Sequence, residues 1–403
     1  MTTTKVVRRF EIRVPSARSL GDVKLALERA IRAQPPGEIV FTIDPVQRPP
    51  LLDVRLEGAA PAVSRVVASI AAVPGARIQN DILRVRRNGS SERGPGRNGS
   101  AYPDLNVRVR IGADALPPAS GSVPVTVVIV DSGLMVEHPA FNDHLWKGPG
   151  GIHGKQFIDG KGNDDISDQD GHGTLQAGTV LGVAVDVPVK FMVAKFFDTA
   201  NPTRPDNAAA ALDFAANNGA RIMLLAWDVG LGSAELERAF RQACKNALVV
   251  IAAGNYGSDN DWHDDQSSAR APVRYAKDNP ASTLTVMATD ESDEKAWFSN
   301  YGRQTVDLAA PGLGITSTRR CLSKADANGP LGYRTHGGTS AAAAHIAGAA
   351  ALLMSRYPDL TVQQVKRCLV DSVDRRPRLK CASGGRLNVD AALRCAAQGA
   401  KKP

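Results

Sequence analysis

No run of eighteen apolar residues occurs in the 403 residues of this chain, so no membrane-crossing helix is expected. The opening residues, Met1-Thr2-Thr3-Thr4-Lys5-Val6-Val7-Arg8-Arg9, carry no apolar core of the signal-peptide kind, and on that ground a cytoplasmic protein is expected, with secretion as the alternative. Cysteine is scarce, with five in all, and no Cys-x-x-Cys spacing suggests zinc. An odd count without an export signal favours reduced thiols. Cys368, Cys381 and Cys395 cluster near the end of the chain, which leaves room for one or two disulfides if the protein is exported.

Excess negative charge is lacking as well: the net charge is +8, and all of the surplus sits early. Residues 1–100 hold 17 Lys and Arg against 9 Asp and Glu, and the rest of the chain holds 32 of each. A basic region of this kind can bind nucleic acid or an acidic partner. Here the arginines alternate with apolar residues and form no block, so they read as a solvated surface, and no nucleic-acid partner is expected. A hydrophobic content of 43% with 22% charged residues is ordinary for a soluble globular chain, and the length suggests two or three domains.

The first domain reads as β-α-β-β-α-β. Phe10, Ile12 and Val14 alternate with charged residues as in a half-buried strand, and Leu20, Val23, Leu27, Ala30 and Ile31 follow helical spacing. Strands are predicted at Ile39-Val40-Phe41, Leu52–Leu56 and Ile78–Val85, and a second helix at Val63–Ile70. The order is that of a small ferredoxin-like α+β domain over residues 1–87. Residues 88–100 contain no large apolar residue and read as a flexible linker, with a larger α/β domain over 101–403.

In that larger domain, four polar groups stand at the ends of apolar elements. Asp131 follows Val125-Thr126-Val127-Val128-Ile129-Val130, a run suited to a strand buried on both faces of a parallel sheet. His172 lies in Gly171-His172-Gly173-Thr174, ahead of a predicted helix. Asn255 closes Val249-Val250-Ile251-Ala252-Ala253-Gly254-Asn255, and Ser340 sits in Gly337-Gly338-Thr339-Ser340-Ala341-Ala342 at the start of a small-residue helix. Singly, each has a structural explanation: a helix cap for Ser340, a turn cap for Asp131, a left-handed turn for Asn255 and a structural role for His172. Together they suit nucleophilic catalysis, because a serine hydroxyl needs a base, and an imidazole has the intrinsic pKa to serve as one.

These segments resemble the subtilisin-like serine proteases. The matching words are Val130-Asp131-Ser132-Gly133, Asp170-Gly171-His172-Gly173-Thr174, Ala252-Ala253-Gly254-Asn255 and Gly338-Thr339-Ser340. Phe298-Ser299-Asn300-Tyr301-Gly302, Asp307–Gly312 and His345–Leu352 look like the family too. The resemblance implies a mostly parallel sheet flanked by helices and peptide hydrolysis through an acyl-enzyme. It assigns Asp131, His172 and Ser340 as the triad and Asn255 to the oxyanion site. It places Ala226, Trp227, Asp228, Ala253 and Gly254 along the substrate, and makes the first domain a propeptide that docks on the second, inhibits it and is cut off, with the cut expected near or within 84–100; a permanent docking module is the alternative for this domain.

Some residues depart from the family pattern. The loop that wraps calcium in many relatives is missing after Gly178-Thr179-Val180, and Asp164, Asp165, Asp168 and Asp170 lack EF-hand spacing, so neither a metal nor another cofactor is expected. Asp228 stands where a glycine is usual and could recruit a substrate Arg or Lys. Two rivals remain: a catalytically silent peptide-binding protein on the same fold, and an α/β-hydrolase esterase. The esterase fold wants Gly-x-Ser-x-Gly with its histidine after the serine, whereas here the motif reads Gly338-Thr339-Ser340-Ala341-Ala342 and the best histidine comes before it.

Overall fold

The computed structural model describes residues 5–13, 29, 39–45, 51–59 and 77–86, and then 105–400 apart from 115, 117–120, 159–161, 263–269 and 322–331. Near the amino terminus, β1 (Lys5–Arg13), β2 (Ile39–Pro45), β3 (Leu51–Ala59) and β4 (Arg77–Arg86) form an antiparallel sheet in the order β2-β3-β1-β4. These strands match the four predicted ones. Apart from Arg29, the two predicted helices and the linker lie outside the described residues.

After a short helix α1 (Leu105–Arg110), a nine-stranded sheet organises the rest of the chain. Its strands are β5 (Val125–Asp131), β6 (Gly154–Gln156), β7 (Val189–Lys195), β8 (Ile222–Leu225), β9 (Leu248–Ala252), β10 (Thr283–Thr289), β11 (Leu308–Pro311) and, after a separate hairpin, β14 (Asp374–Arg375) and β15 (Gly385–Arg386). The hairpin is β12 (Leu313–Thr318) with β13 (Tyr333–Gly337), and β4 of the first sheet approaches β13. The large sheet runs β14-β15-β11-β10-β9-β8-β5-β7-β6, and every pair is parallel except β14–β15.

Successive side chains of a strand point to opposite faces, and here both faces are covered. On one face, Val127 and Ile129 of β5 join Val250 of β9 in a core shared with α2 (His172–Val183) and α6 (Thr339–Arg356). On the other, Val128 and Val130 join Val249 and Ile251 against α3 (Pro205–Asn217) and α4 (Ala234–Ala243). Burial on both sides explains why these strands read as unbroken apolar runs. Each such Val or Ile contributes roughly 1.5–3 kcal/mol, so a polar residue inside them would be costly. A short helix α5 (Val273–Ala276) and the carboxy-terminal α7 (Val362–Asp371) and α8 (Val389–Gly399) complete the fold.

Helix α6 is buried along nearly its whole length, which its alanines permit. It packs against α2 so closely that a Cβ on Gly348 would come within 2.5 Å of the Val180 carbonyl oxygen. His172 and Ser340 each lie eight residues upstream of that contact, at the first turns of their helices. The packing of two helices therefore brings their amino-terminal ends to the same edge of the sheet, the carboxyl end of the strands, where open α/β folds place ligands.

Candidate active site

Asp131 is the last residue of β5 and is 1% exposed. Its carboxylate lies 2.8 and 2.9 Å from His172 Nδ1 and accepts the Ser132 N–H at 2.7 Å. These contacts favour a proton on Nδ1, so Nε2 is the nitrogen turned to the cleft. His172 opens α2, and its backbone is set by a neighbour that sequence reading left among solvated acidic residues. Asp168 is 4% exposed and accepts the N–H groups of Asp170, Gly171 and Thr174 together with the hydroxyls of Ser132 and Thr174. It thereby satisfies amide donors that a helix start leaves without partners. The signal was present as an aspartate four residues before the histidine, but only burial separates a cap from a surface charge. Gly173 completes the fit: a Cβ there would lie 2.1 Å from the Gly133 carbonyl oxygen.

Burial disfavours the charged form of His172, but the Asp131, Asp170 and Asp168 carboxylates outweigh it, and the imidazole is pushed up to about 9. Asp170 is pushed up to about 6 by burial and by the neighbouring Asp168 and Asp131 carboxylates, against the pull of His172. Gln176, one turn along α2, places its Nε2 3.2 Å from His172 Nε2, and its buried Oε1 has no partner. With the amide turned over, that oxygen accepts a hydrogen bond from the protonated Nε2 of an imidazolium.

Ser340 is 8% exposed and sits in the first turn of α6. Its hydroxyl donates to the Ala226 carbonyl at 3.0 Å, and no hydrogen bond joins it to His172. The Ser340 hydroxyl is thus engaged by Ala226 and not by the imidazole. Asn255 lies beside it. Its Oδ1 accepts both the N–H and the hydroxyl of Thr339, each at 2.9 Å, which orients the amide. Gly338 adopts φ 154°, and a Cβ on it would lie 3.6 Å from Asn255 Nδ2 and 3.7 Å from the Ser340 nitrogen. A side chain at 338 would therefore crowd the space flanked by both donors.

The five residues expected along the substrate separate into different roles. Ala226, Trp227 and Asp228 follow β8, which ends at Leu225. Ala226 offers the carbonyl that holds Ser340. Trp227 turns into the core, donating Nε1–H to the Val130 carbonyl at 2.7 Å and packing edge-on to Phe196 at 4.8 Å. Ala253 and Gly254 spend backbone groups internally: Ala253 N–H on Val286, its carbonyl on Asn260, and Gly254 N–H on the Thr339 hydroxyl. Asp228 accepts the Tyr256 hydroxyl at 2.8 Å and Arg270 Nε at 2.5 Å, and also pairs with Arg270 Nη2. That pairing removes the ground for recruiting a substrate cation. Tyr256 and Arg270 were not singled out from sequence, because their meeting depends on three segments far apart in the chain. Among the described residues, no group of three or more His, Cys, Asp and Glu is arranged to hold a metal ion.

A parallel α/β sheet with serine, imidazole and carboxylate gathered at the carboxyl edge of its strands places the chain in the class of subtilisin-like folds. The sequence pattern described as "Subtilase family" matches residues 123–391, and the chain belongs to that family. It is 34% identical over 251 residues to alkaline elastase YaB of Bacillus sp. (strain YaB), covering 60% of this chain and 59% of that protein. It is 32% identical over 255 residues to an extracellular serine proteinase of Thermus sp. (strain Rt41A), covering 61% and 54%. The chain thus spans less than two thirds of the length of these relatives. A crystal structure of a cold adapted subtilisin-like serine proteinase superposes with a TM-score of 0.54 at 26% identity, covering 71% of this chain and 97% of that one.

The cytoplasmic expectation is corrected by these relatives, among them a proteinase named as extracellular, and the secreted alternative fits better. The expectation of reduced thiols changes with it. Cys368 of α7 and Cys395 of α8 form a disulfide, a bond that persists in oxidising compartments. Cys244 and Cys381 are buried thiols.

Proposed function

We propose that this chain is a serine endopeptidase that cuts peptide bonds through an acyl-enzyme. The observation that carries the reading is the Asp131–His172 pair, 2.8 Å apart, set at the start of one helix while Ser340 opens the helix packed beside it. Ser340 Oγ attacks the substrate carbonyl as His172 Nε2 takes its proton, and His172 then returns that proton to the leaving amine. Asp131 holds the Nδ1–H tautomer and stabilises the imidazolium. The Asn255 amide and the Ser340 N–H donate hydrogen bonds to the carbonyl oxygen as negative charge develops on it. Water then repeats the sequence on the acyl-serine and releases the acid.

The amino-terminal region is proposed to act as an inhibitory propeptide that docks on the peptidase and is cut within 84–100. The approach of β4, which ends at Arg86, to β13 supports this, because β13 leads directly into Gly338-Thr339-Ser340. Purified full-length protein followed by intact mass tests both parts. Wild type is expected to shorten within 84–100 while Ser340→Ala keeps its full mass. Equal shortening of both would overturn self-cleavage, and failure of wild-type Ser340 to react with a fluorophosphonate probe would favour the silent peptide-binding alternative.

A further inference from the structure

Beside Ser340, two segments leave neighbouring parallel strands. Residues 226–229 follow β8, and 253–256 follow β9. The first carries the carbonyl that holds the Ser340 hydroxyl, and the second carries Asn255. If the reacting carbonyl oxygen lies between Asn255 and the Ser340 N–H, the side chain of the residue that supplies this carbonyl falls into the crevice between the two segments. One side-chain bridge spans the crevice. Tyr256, next to Asn255, donates its hydroxyl to Asp228 Oδ2, and Arg270 closes on Asp228 Oδ1 while its guanidinium lies 5.2 Å from the Tyr256 ring centre.

The bridge is anchored from behind. The Tyr256 N–H donates to Asn300 Oδ1 at 2.9 Å, and Asn300 is 5% exposed. Arg270 is held beside Asp228 by its neighbour: the Ala271 N–H donates to the Gly230 carbonyl at 2.6 Å, and the Val229 N–H to the Ala271 carbonyl at 3.0 Å. These pairs fix the backbone from which the three side chains project. Asp228 stands two residues beyond Ala226, at most ~7 Å of extended chain, so the crevice is short before its three side chains begin to fill it. The pair is also neutral as a unit. A charged substrate side chain of either sign would lose its water and meet a partner that is already engaged.

We infer that Asp228, Tyr256 and Arg270 form a specificity-determining clamp that limits the residue on the acyl side of the cut to short, uncharged side chains such as Ala or Ser. This rests on the protease reading above. Its test uses a peptide series with one sequence in which only that residue changes, to Ala, Ser, Phe, Glu or Arg, cleaved by mature wild-type enzyme whose Ser340 is first titrated with a fluorophosphonate. Wild type is expected to favour Ala and Ser over Phe, Glu and Arg by ~10-fold or more in kcat/KM. Arg270→Ala removes both bulk and charge, and should raise cleavage after Phe and after Arg. Arg270→Met keeps bulk, and should raise cleavage after Arg alone by exposing Asp228.

Tyr256→Phe deletes only the hydroxyl and covers the case in which an Arg270 variant does not fold, with a smaller gain after Phe expected. Equal or better wild-type cleavage after Phe, Glu or Arg would overturn the clamp while leaving the protease reading intact, since labelling and turnover would both be present. Unchanged preference in all folded variants would overturn it as well. Absence of labelling and of any cleavage would instead overturn the reading on which it rests.

Discussion

The two sides of the cleft are held by opposite means. On the His172 side the work is done by charge: Asp131, Asp168 and Asp170 gather around one imidazole and the first turn of α2, and their oxygens are filled by N–H groups and hydroxyls. On the Ser340 side the nearby carboxylate, Asp228, is already neutralised by Arg270. Neutral groups set the geometry there, through the Asn255 amide on Thr339, the Gly338 backbone and the Ala226 carbonyl. The difference suits the chemistry of each side. An imidazolium that forms in mid-reaction is stabilised by nearby anions, whereas an oxyanion would be repelled by them. On the proposed mechanism, one half is set to hold positive charge, and the other presents neutral donors to negative charge.

The comparison breaks most visibly at its extremes. Ser340→Ala is expected to lower kcat by about 10⁶-fold, the order recorded for a subtilisin stripped of its nucleophile, in a peptide-hydrolysis assay. Asp131→Asn should keep the fold but misdirect the imidazole tautomer, with a loss of about 10⁴-fold in kcat. On the neutral side, Asn255→Ala is expected to cost about 10²–10³ in kcat with KM little changed, the range for a single oxyanion donor. A loss confined to KM would mean that Asn255 acts only through Thr339.

Two smaller effects sharpen the contrast. Because His172 must be neutral to accept the Ser340 proton and its carboxylate neighbours push it up to about 9, kcat/KM should rise with pH through that region. The groups facing the ring are Asp131, Asp168, Asp170 and His336, with Arg320 packed against Gly171. Asp170→Asn removes one anion, so the rising limb should move to lower pH, and an unmoved limb would show that Asp131 alone sets it. The smallest change is expected from Gln176→Ala, which frees His172 Nε2 from its amide neighbour and should raise kcat/KM by a few-fold at most on the acidic part of the profile.

Much of the fold was legible because burial on two faces writes itself into composition. The run Val125–Val130 can only be comfortable between two helical layers, and that is where β5 lies. The spacing of Asp131, His172 and Ser340 was legible for a related reason, since each stands where an apolar element meets a turn. The buried role of Asp168 was not, because an aspartate in a polar loop has the same local sequence whether it caps a helix or faces water. The meaning of Asp228 was also out of reach. Its partner Arg270 lies 42 residues away, and a charge that seems available in sequence is spent in space. The disulfide stayed open for the same reason, as pairing depends on how α7 and α8 pack.

The sequence by itself determined a parallel α/β domain with serine, histidine and aspartate at element ends, because periodicity and glycine placement are local properties that chain neighbours enforce. Tertiary structure alone decided that the Ser340 hydroxyl rests on Ala226, that Asp168 braces the first turn of α2, and that the crevice beside Ser340 is bridged by Asp228, Tyr256 and Arg270. Those outcomes depend on which distant groups arrive within hydrogen-bonding range once the sheet and helices have packed, and no local pattern encodes that distance.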